Sequence, residues 1–127
     1  MRILLDTHFV IELVDAKLQG FTLQDRFLTL AEFEDVHVSV VSLWEVAIKF
    51  RIGKLPLRVD VAQWPKILAR ADVPILPIEA DHVLAEFAPD VQTRDPFDRL
   101  LLGVCAAENM KLLTVDRLLA GHPLTLS

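Results

Sequence analysis

Short apolar runs alternate along the chain with segments in which apolar residues recur every three or four positions. The runs are typical of buried strands, and we predict strands at residues 3–5, 36–39, 75–76 and 124–126, with a further one ending before Asp116. Helical spacing predicts helices at residues 8–15, 22–30, 42–53, 60–68 and 79–87, with another beginning at Asp95 and Pro96. This alternation favours an α/β fold with a mostly parallel sheet of four to five strands and helices on both faces.

The segment 94–116 carries the clearest local signals. Asp95 stands at an N-cap position, Pro96 at the first helical position, and Asp98 follows in the first turn. Helix capping can explain Asp95 and Asp98, but it does not explain Asp116, which follows the next strand. That position is the carboxyl edge of the sheet, where open α/β sheets bind their ligands. We therefore expect carboxylates from different elements to meet there.

Two further acids are predicted at the same edge. Asp6 ends the first strand, and Glu45 lies in the first turn of the helix after the second strand. Strand ends and the starts of the following helices share one edge in a parallel sheet with right-handed crossovers. The helix of Asp98 precedes its strand, so Asp98 reaches this edge only if the preceding chain returns there.

Four carboxylates in one place repel one another unless cations neutralise them. Hard Mg²⁺ or Mn²⁺ ions with oxygen ligands suit such a set, and phosphodiester hydrolysis is the chemistry that uses it. Zinc is not expected, because the histidines show no ligand-type spacing with one another or with the single cysteine. These residues are His8, His37, His82, His122 and Cys105.

Composition limits the class of protein. The chain has 127 residues, of which 53% are hydrophobic, and its mean hydropathy is +0.40, so we predict one domain spanning residues 1–127. The net charge of −5 argues against binding nucleic acid through the overall field. The clustered cations have two explanations: a local basic rim that binds nucleic acid, or a surface that is simply solvated. The cations concerned are Lys49, Arg51, Lys54, Arg58, Arg94, Arg99, Lys111 and Arg117.

The apolar runs are too short for export or membrane insertion. No stretch of 18 apolar residues occurs, and the first apolar run meets Asp6 too early for a signal peptide. A cytoplasmic location is expected. Gly53-Lys54 is not the end of a Walker A motif, because Ile48 and Leu55 occupy positions that require glycine and a hydroxyl residue.

Four motifs together resemble those of PIN-domain ribonucleases, in particular the VapC-like toxins of type II toxin-antitoxin pairs. They are Leu4-Leu5-Asp6-Thr7-His8, Ser42-Leu43-Trp44-Glu45-Val46-Ala47-Ile48-Lys49 with Gly53-Lys54-Leu55, Arg94-Asp95-Pro96-Phe97-Asp98-Arg99-Leu100-Leu101, and Thr114-Val115-Asp116. Each motif is weak alone, but the four follow in the order and spacing of that family over essentially the whole chain.

The resemblance implies a three-layer α/β/α sandwich and a metal-dependent endoribonuclease. It assigns Asp6, Glu45, Asp98 and Asp116 to the catalytic acids, with Mg²⁺ or Mn²⁺ bound by Asp6, Asp98 and Asp116. Glu45 would orient water or act as the base. Accessory candidates are Thr7, Asp95, Thr114 and Arg99. The resemblance also implies an RNA substrate, a homodimer and a cognate antitoxin whose C-terminal segment fills the pocket.

Structural explanations stand beside these assignments. Asp6 can cap the following helix, Glu45 can form a capping box with Ser42 or pair with Lys49, and Asp116 can cap a short turn. Two other functions also remain open. One is a catalytically silent PIN-like module that binds RNA or protein. The other is an α/β phosphoryl enzyme with a nucleophilic aspartate, although Asp6 is not followed by a second acid two residues on.

Overall fold

The computed structural model describes residues 1–18 and 35–126. The strands are β1 (Arg2–Leu5), β2 (Asp35–Ser39), β3 (Ile75–Leu76), β4 (Lys111–Leu113) and β5 (Thr125–Leu126). The helices are α1 (Thr7–Leu18), α2 (Val40–Arg51), α3 (Trp64–Arg70), α4 (Ala80–Leu84) and α5 (Pro96–Glu108), and a 3₁₀ turn at Val61–Gln63 precedes α3. The predicted helix at 22–30 lies outside the described residues.

The five strands form one parallel sheet in the order β3-β2-β1-β4-β5. Because β1 is central, alternate residues of this strand face opposite layers. Ile3 and Leu5 pack in a core with α1 and α3, whereas Leu4 packs with α5 in a second core. Helices thus cover both faces of the sheet, and the predicted α/β/α architecture is confirmed.

Two predicted helix boundaries are wrong. Helix α2 begins at Val40, not at Ser42, because the hydroxyl of Ser39 caps it by accepting a hydrogen bond from the Val41 amide at 3.1 Å. Helix α4 covers residues 80–84 only, since the backbone at Ala85 is extended (φ −60°, ψ 136°). Sequence periodicity does not register such local competition between side-chain caps and the helical backbone.

Chain direction brings the start of α5 to the carboxyl edge of the sheet. Helix α5 ends at Glu108, and its C-cap Asn109 has a left-handed conformation (φ 56°) that reverses the chain into β4. The helix therefore runs antiparallel to the strand that it precedes, and its N-terminus lies where that strand ends. The start of α5, where Asp98 lies, is therefore at the carboxyl edge of the sheet, which is the condition that the prediction for Asp98 required. Within the described ranges, no helix is long and apolar enough to cross a membrane.

Candidate active site

A cavity of about 460 Å³ opens at the carboxyl edge of the sheet. All four carboxylates predicted to meet there line it, together with the side chain at the N-cap of α5. These acids are Asp6, Glu45, Asp98, Asp116 and Asp95. They come from the end of β1, the second turn of α2, the first turn of α5 and the loop after β4, so only the folded chain brings them together.

Asp6 is fixed by the pairing of β1 with β4. Its amide donates to the carbonyl of Leu113 at 3.0 Å, and the Thr114 hydroxyl donates to Asp6 Oδ2 at 2.5 Å. Asp6 is 8% exposed. Burial raises the pKa of Asp6 above its usual value, while the Thr114 hydrogen bond opposes that rise. The predicted accessory residue Thr114 therefore contacts a site carboxylate directly.

Glu45 is buried and held at both oxygens. The Thr7 hydroxyl donates to Oε1 at 2.8 Å, and Lys49 Nζ forms an ion pair with Oε2 at 2.5 Å. Thr7 also lies 2.9 Å from the Ser42 hydroxyl. The hydrogen bond to Glu45 raises the pKa of Lys49 above its usual value, so Lys49 keeps its positive charge beside the Glu45 side chain. Because Ser39 caps α2, a capping box between Ser42 and Glu45 is excluded.

Asp95 and Asp98 occupy the first turn of α5. Asp95 accepts a hydrogen bond from the Phe97 amide at 2.9 Å and is the N-cap, as predicted. Asp98 is half-buried, and among the described residues its side chain accepts one long contact of 3.4 Å from the Thr93 hydroxyl. Burial and the neighbouring carboxylates, first that of Asp95, raise the pKa of Asp98 to about 7. Asp98 is thus an acid on which burial and neighbouring negative charge act with little hydrogen bonding to oppose them.

Asp116 both caps a turn and lines the cavity, two roles that the sequence had left as alternatives. Its Oδ1 accepts a hydrogen bond from the Leu118 amide at 2.9 Å, so it caps the turn. Its side chain nevertheless lines the cavity, and its charge contributes to raising the pKa of Asp6 and Asp98. The amide of Asp116 donates to Thr114 at 3.0 Å, which links it to the Asp6 contact.

The structure places one accessory candidate elsewhere and adds one residue. Arg99 does not line the cavity; its guanidinium pairs with Asp90 at 2.9 Å. Sequence reasoning missed Thr93, which is 5% exposed and joins the Asp95 amide (3.2 Å) to Asp98. Its signal was a hydroxyl residue two positions before an aspartate N-cap, a spacing typical of local side-chain turns.

The donor types in the cavity fit a hard divalent cation. Asp6, Asp98 and Asp116 offer carboxylate oxygens, and their mutual repulsion is what a cation would relieve. No three His, Cys, Asp or Glu side chains among the described residues are arranged to hold a metal ion directly. Mg²⁺ commonly keeps several waters and takes one or two carboxylates, so the residues fit water-bridged coordination and not a closed cage.

The raised pKa of Asp98 predicts a pH-dependent stability difference. The carboxyl holds its proton to about pH 7 in the folded protein but loses it near pH 4 when unfolded. The protein consequently loses stability as pH rises through this window. In EDTA, Asp98→Asn should raise the free energy of unfolding by about 1–2 kcal/mol at pH 8, a value discounted for solvent screening, with little change at pH 4.

Urea denaturation at the two pH values measures this difference. Glu86→Gln, which removes an equal charge at an exposed position outside the cavity, is the matched control and should show no such pH dependence. An equal effect of Asp98→Asn at both pH values would contradict the prediction.

Comparisons with known proteins agree with this architecture. A family model described as PIN domain matches residues 3–121. No curated protein matches the chain significantly in sequence. Three solved structures share its fold, each covering 98–99% of this chain and 95–96% of the matched chain.

The first of the three is a toxin-antitoxin complex from Klebsiella pneumoniae, with a TM-score of 0.62 and 16% identity. The second is VapBC2 from Rickettsia felis bound to a DNA fragment from their promoter, with a TM-score of 0.57 and 16% identity. The third is DNA-bound VapBC from Salmonella typhimurium, with a TM-score of 0.59 and 15% identity. At these identities the likeness is one of fold.

Proposed function

Since the chain belongs to the PIN domain family, we propose that it is a metal-dependent endoribonuclease that acts as the toxin of a toxin-antitoxin pair. The observation that carries the proposal is the meeting of Asp6, Glu45, Asp98 and Asp116, from four separate segments, in one open cavity of about 460 Å³. Charge repulsion of this kind costs stability, and such clusters are typical of functional sites.

The proposed roles follow from the contacts of each acid. Asp6, Asp98 and Asp116 would hold Mg²⁺ or Mn²⁺, which supplies Lewis-acid stabilisation of the charge that develops on the phosphate when bound. Glu45 differs from them because Lys49 and Thr7 engage both of its oxygens. These contacts hold the Glu45 side chain in one orientation, from which it can position the attacking water and accept its proton.

The proposed partners are an antitoxin and a second copy of the chain. Support for the antitoxin comes from the fold neighbours, which are toxin-antitoxin complexes. Support for protein contacts in general comes from large apolar side chains at the surface, among them Trp44 (58% exposed), Ile52 (59%) and Leu84 (76%). We also propose that residues 1–127 form a single PIN domain. The proposed location of the protein is the cytoplasm.

Cleavage of RNA by the purified protein tests the proposed activity. Total cellular RNA incubated with Mg²⁺ or Mn²⁺ should yield discrete fragments, and EDTA should abolish them because the acids then lack their cation. Mapping the fragment ends identifies the RNA that is cut. Intact RNA with either metal, from protein shown to be folded by circular dichroism, would contradict the nuclease and favour a silent binding module.

A further inference from the structure

Two lysines line the acidic cavity, and the proposed hydrolysis assigns no substrate contact to either of them. Lys49 lies in the last turn of α2, and Lys54 lies three residues beyond the end of this helix. Lys49 is 41% exposed at its side chain, and Lys54 is exposed. Both ammonium groups can therefore be reached from solvent at the same cavity whose other walls carry the acids.

The turn at Gly53 is what brings the second lysine back to the cavity. The Lys54 amide donates to the Lys49 carbonyl at 2.9 Å, and the Gly53 amide donates to the Phe50 carbonyl at 3.0 Å. Together these are the two hydrogen bonds of a Schellman motif, which needs a residue with positive φ. Gly53 meets that need with a φ of 75°. The helix end thus places Lys54 beside Lys49.

Lys49 has N–H donors that its contact with Glu45 does not use. An ammonium group carries three N–H donors, and the contact with Glu45 Oε2 uses one. For Lys54, no ion pair is found among the described residues. Unused ammonium donors at the wall of a nuclease cavity suit the anionic oxygens of a nucleic acid backbone.

The charge of the chain favours a local cationic site for RNA. With a net charge of −5 and five acids in the cavity, the protein repels a polyanion unless cations at the cavity hold it. We propose that Lys49 and Lys54 form a phosphate-binding pair, called the lysine pair below, which holds backbone phosphates of RNA beside the acids. The inference rests on the proposed nuclease function.

Salt-dependent RNA binding tests the lysine pair. The probe is a fluorescently labelled 12-nucleotide single-stranded RNA, and its anisotropy is measured with full-length protein in EDTA at several KCl concentrations. All variants are made on an Asp98→Asn background, which removes one repelling charge from the cavity. Lys54→Met should weaken binding about fivefold and make the slope of log K against log salt less negative by about 0.7, the value for one lost phosphate contact.

Lys49→Met should reduce the slope similarly, but it also leaves Glu45 without its cation. Lys49→Arg keeps the charge and should retain the slope, which separates a phosphate contact from a purely structural role. The matched control is Lys66→Met on the exposed surface of α3, which removes the same charge outside the cavity and should leave the slope unchanged. The losses should also be alike for RNAs of different sequence, since phosphates carry no sequence information.

Substitution at Gly53 tests position without changing charge. A side chain there meets nothing within 4 Å, but the positive φ disfavours alanine. Gly53→Ala should therefore move Lys54 and weaken RNA binding about two- to threefold, whereas Gly53→Asn, which tolerates the left-handed region, should bind like the parent.

Two results would overturn the lysine pair. Slopes for Lys49→Met and Lys54→Met equal to that of Lys66→Met would do so, as would unchanged binding by Gly53→Ala. If the wild-type protein nevertheless cleaves RNA with metal, only the lysine pair fails and the nuclease stands. If the Asp98→Asn protein does not bind the probe and the wild-type protein does not cleave RNA, both proposals fail.

Discussion

Replacing Asp98 with asparagine is expected to lower the rate of metal-dependent RNA cleavage by about 100- to 1,000-fold. Asparagine keeps the size of the side chain but removes the charge that a divalent cation would bind. Asp98 is the right acid to change because burial and its acidic neighbours raise its pKa to about 7, and its one hydroxyl contact is long at 3.4 Å. The fold therefore does not depend on its charge.

The measurement is the initial rate of cleavage of a mapped RNA substrate in Mg²⁺, with Mn²⁺ affinity determined in parallel by calorimetry. Weaker metal binding together with slower cleavage is expected, while circular dichroism and the melting temperature show a folded protein. Glu86→Gln should cleave at the wild-type rate. An Asp98→Asn rate within about threefold of wild type would remove Asp98 from the proposed site.

Gly103→Ala is expected to lower the free energy of unfolding by about 2–4 kcal/mol. A Cβ atom at this buried position of α5 would lie 2.4 Å from the His82 carbonyl oxygen. That oxygen is backbone of α4 and cannot rotate away. His82 is itself held by Glu108 at 2.8 Å and by the Glu79 amide at 3.0 Å, so α4 can move aside only by giving up these contacts.

Urea denaturation followed by circular dichroism measures the loss. Ala107→Ser, on the exposed side of the same helix, is the control and should change stability by less than about 0.5 kcal/mol. A loss below about 1 kcal/mol for Gly103→Ala would contradict the prediction, because it would show that α4 can move away from α5 at little cost in stability. The substitution lies away from the cavity, so cleavage by the folded fraction should be unaffected.

Much of the fold could be predicted because its signals are local. Apolar runs and helical spacing predicted the strands and most helices of the described chain, and Asp95 with Pro96 predicted the start of α5. The start of α2 was missed since Ser39 and Ser42 are equally good capping residues by type. Which of them caps is decided by where β2 ends, and periodicity does not report that.

The candidate site could be predicted in part for a related reason. Parallel strands place their carboxyl ends at one edge, so Asp6 and Asp116 could be assigned to the same region from the sequence. Which oxygens are already engaged could not be inferred. The contacts of Glu45 with Thr7 and Lys49, and the turn of Arg99 towards Asp90, depend on side-chain packing between separate elements.

Residue types and their spacing along the chain were enough to predict the order of the strands and helices within the described residues, the candidate acids and the family resemblance. The folded structure was needed to see that Asp98 reaches the cavity with one long hydroxyl contact and that Lys54 turns back beside Lys49. The physical reason is that repulsion, burial and hydrogen bonding act over distances of a few ångströms between residues that are far apart in sequence.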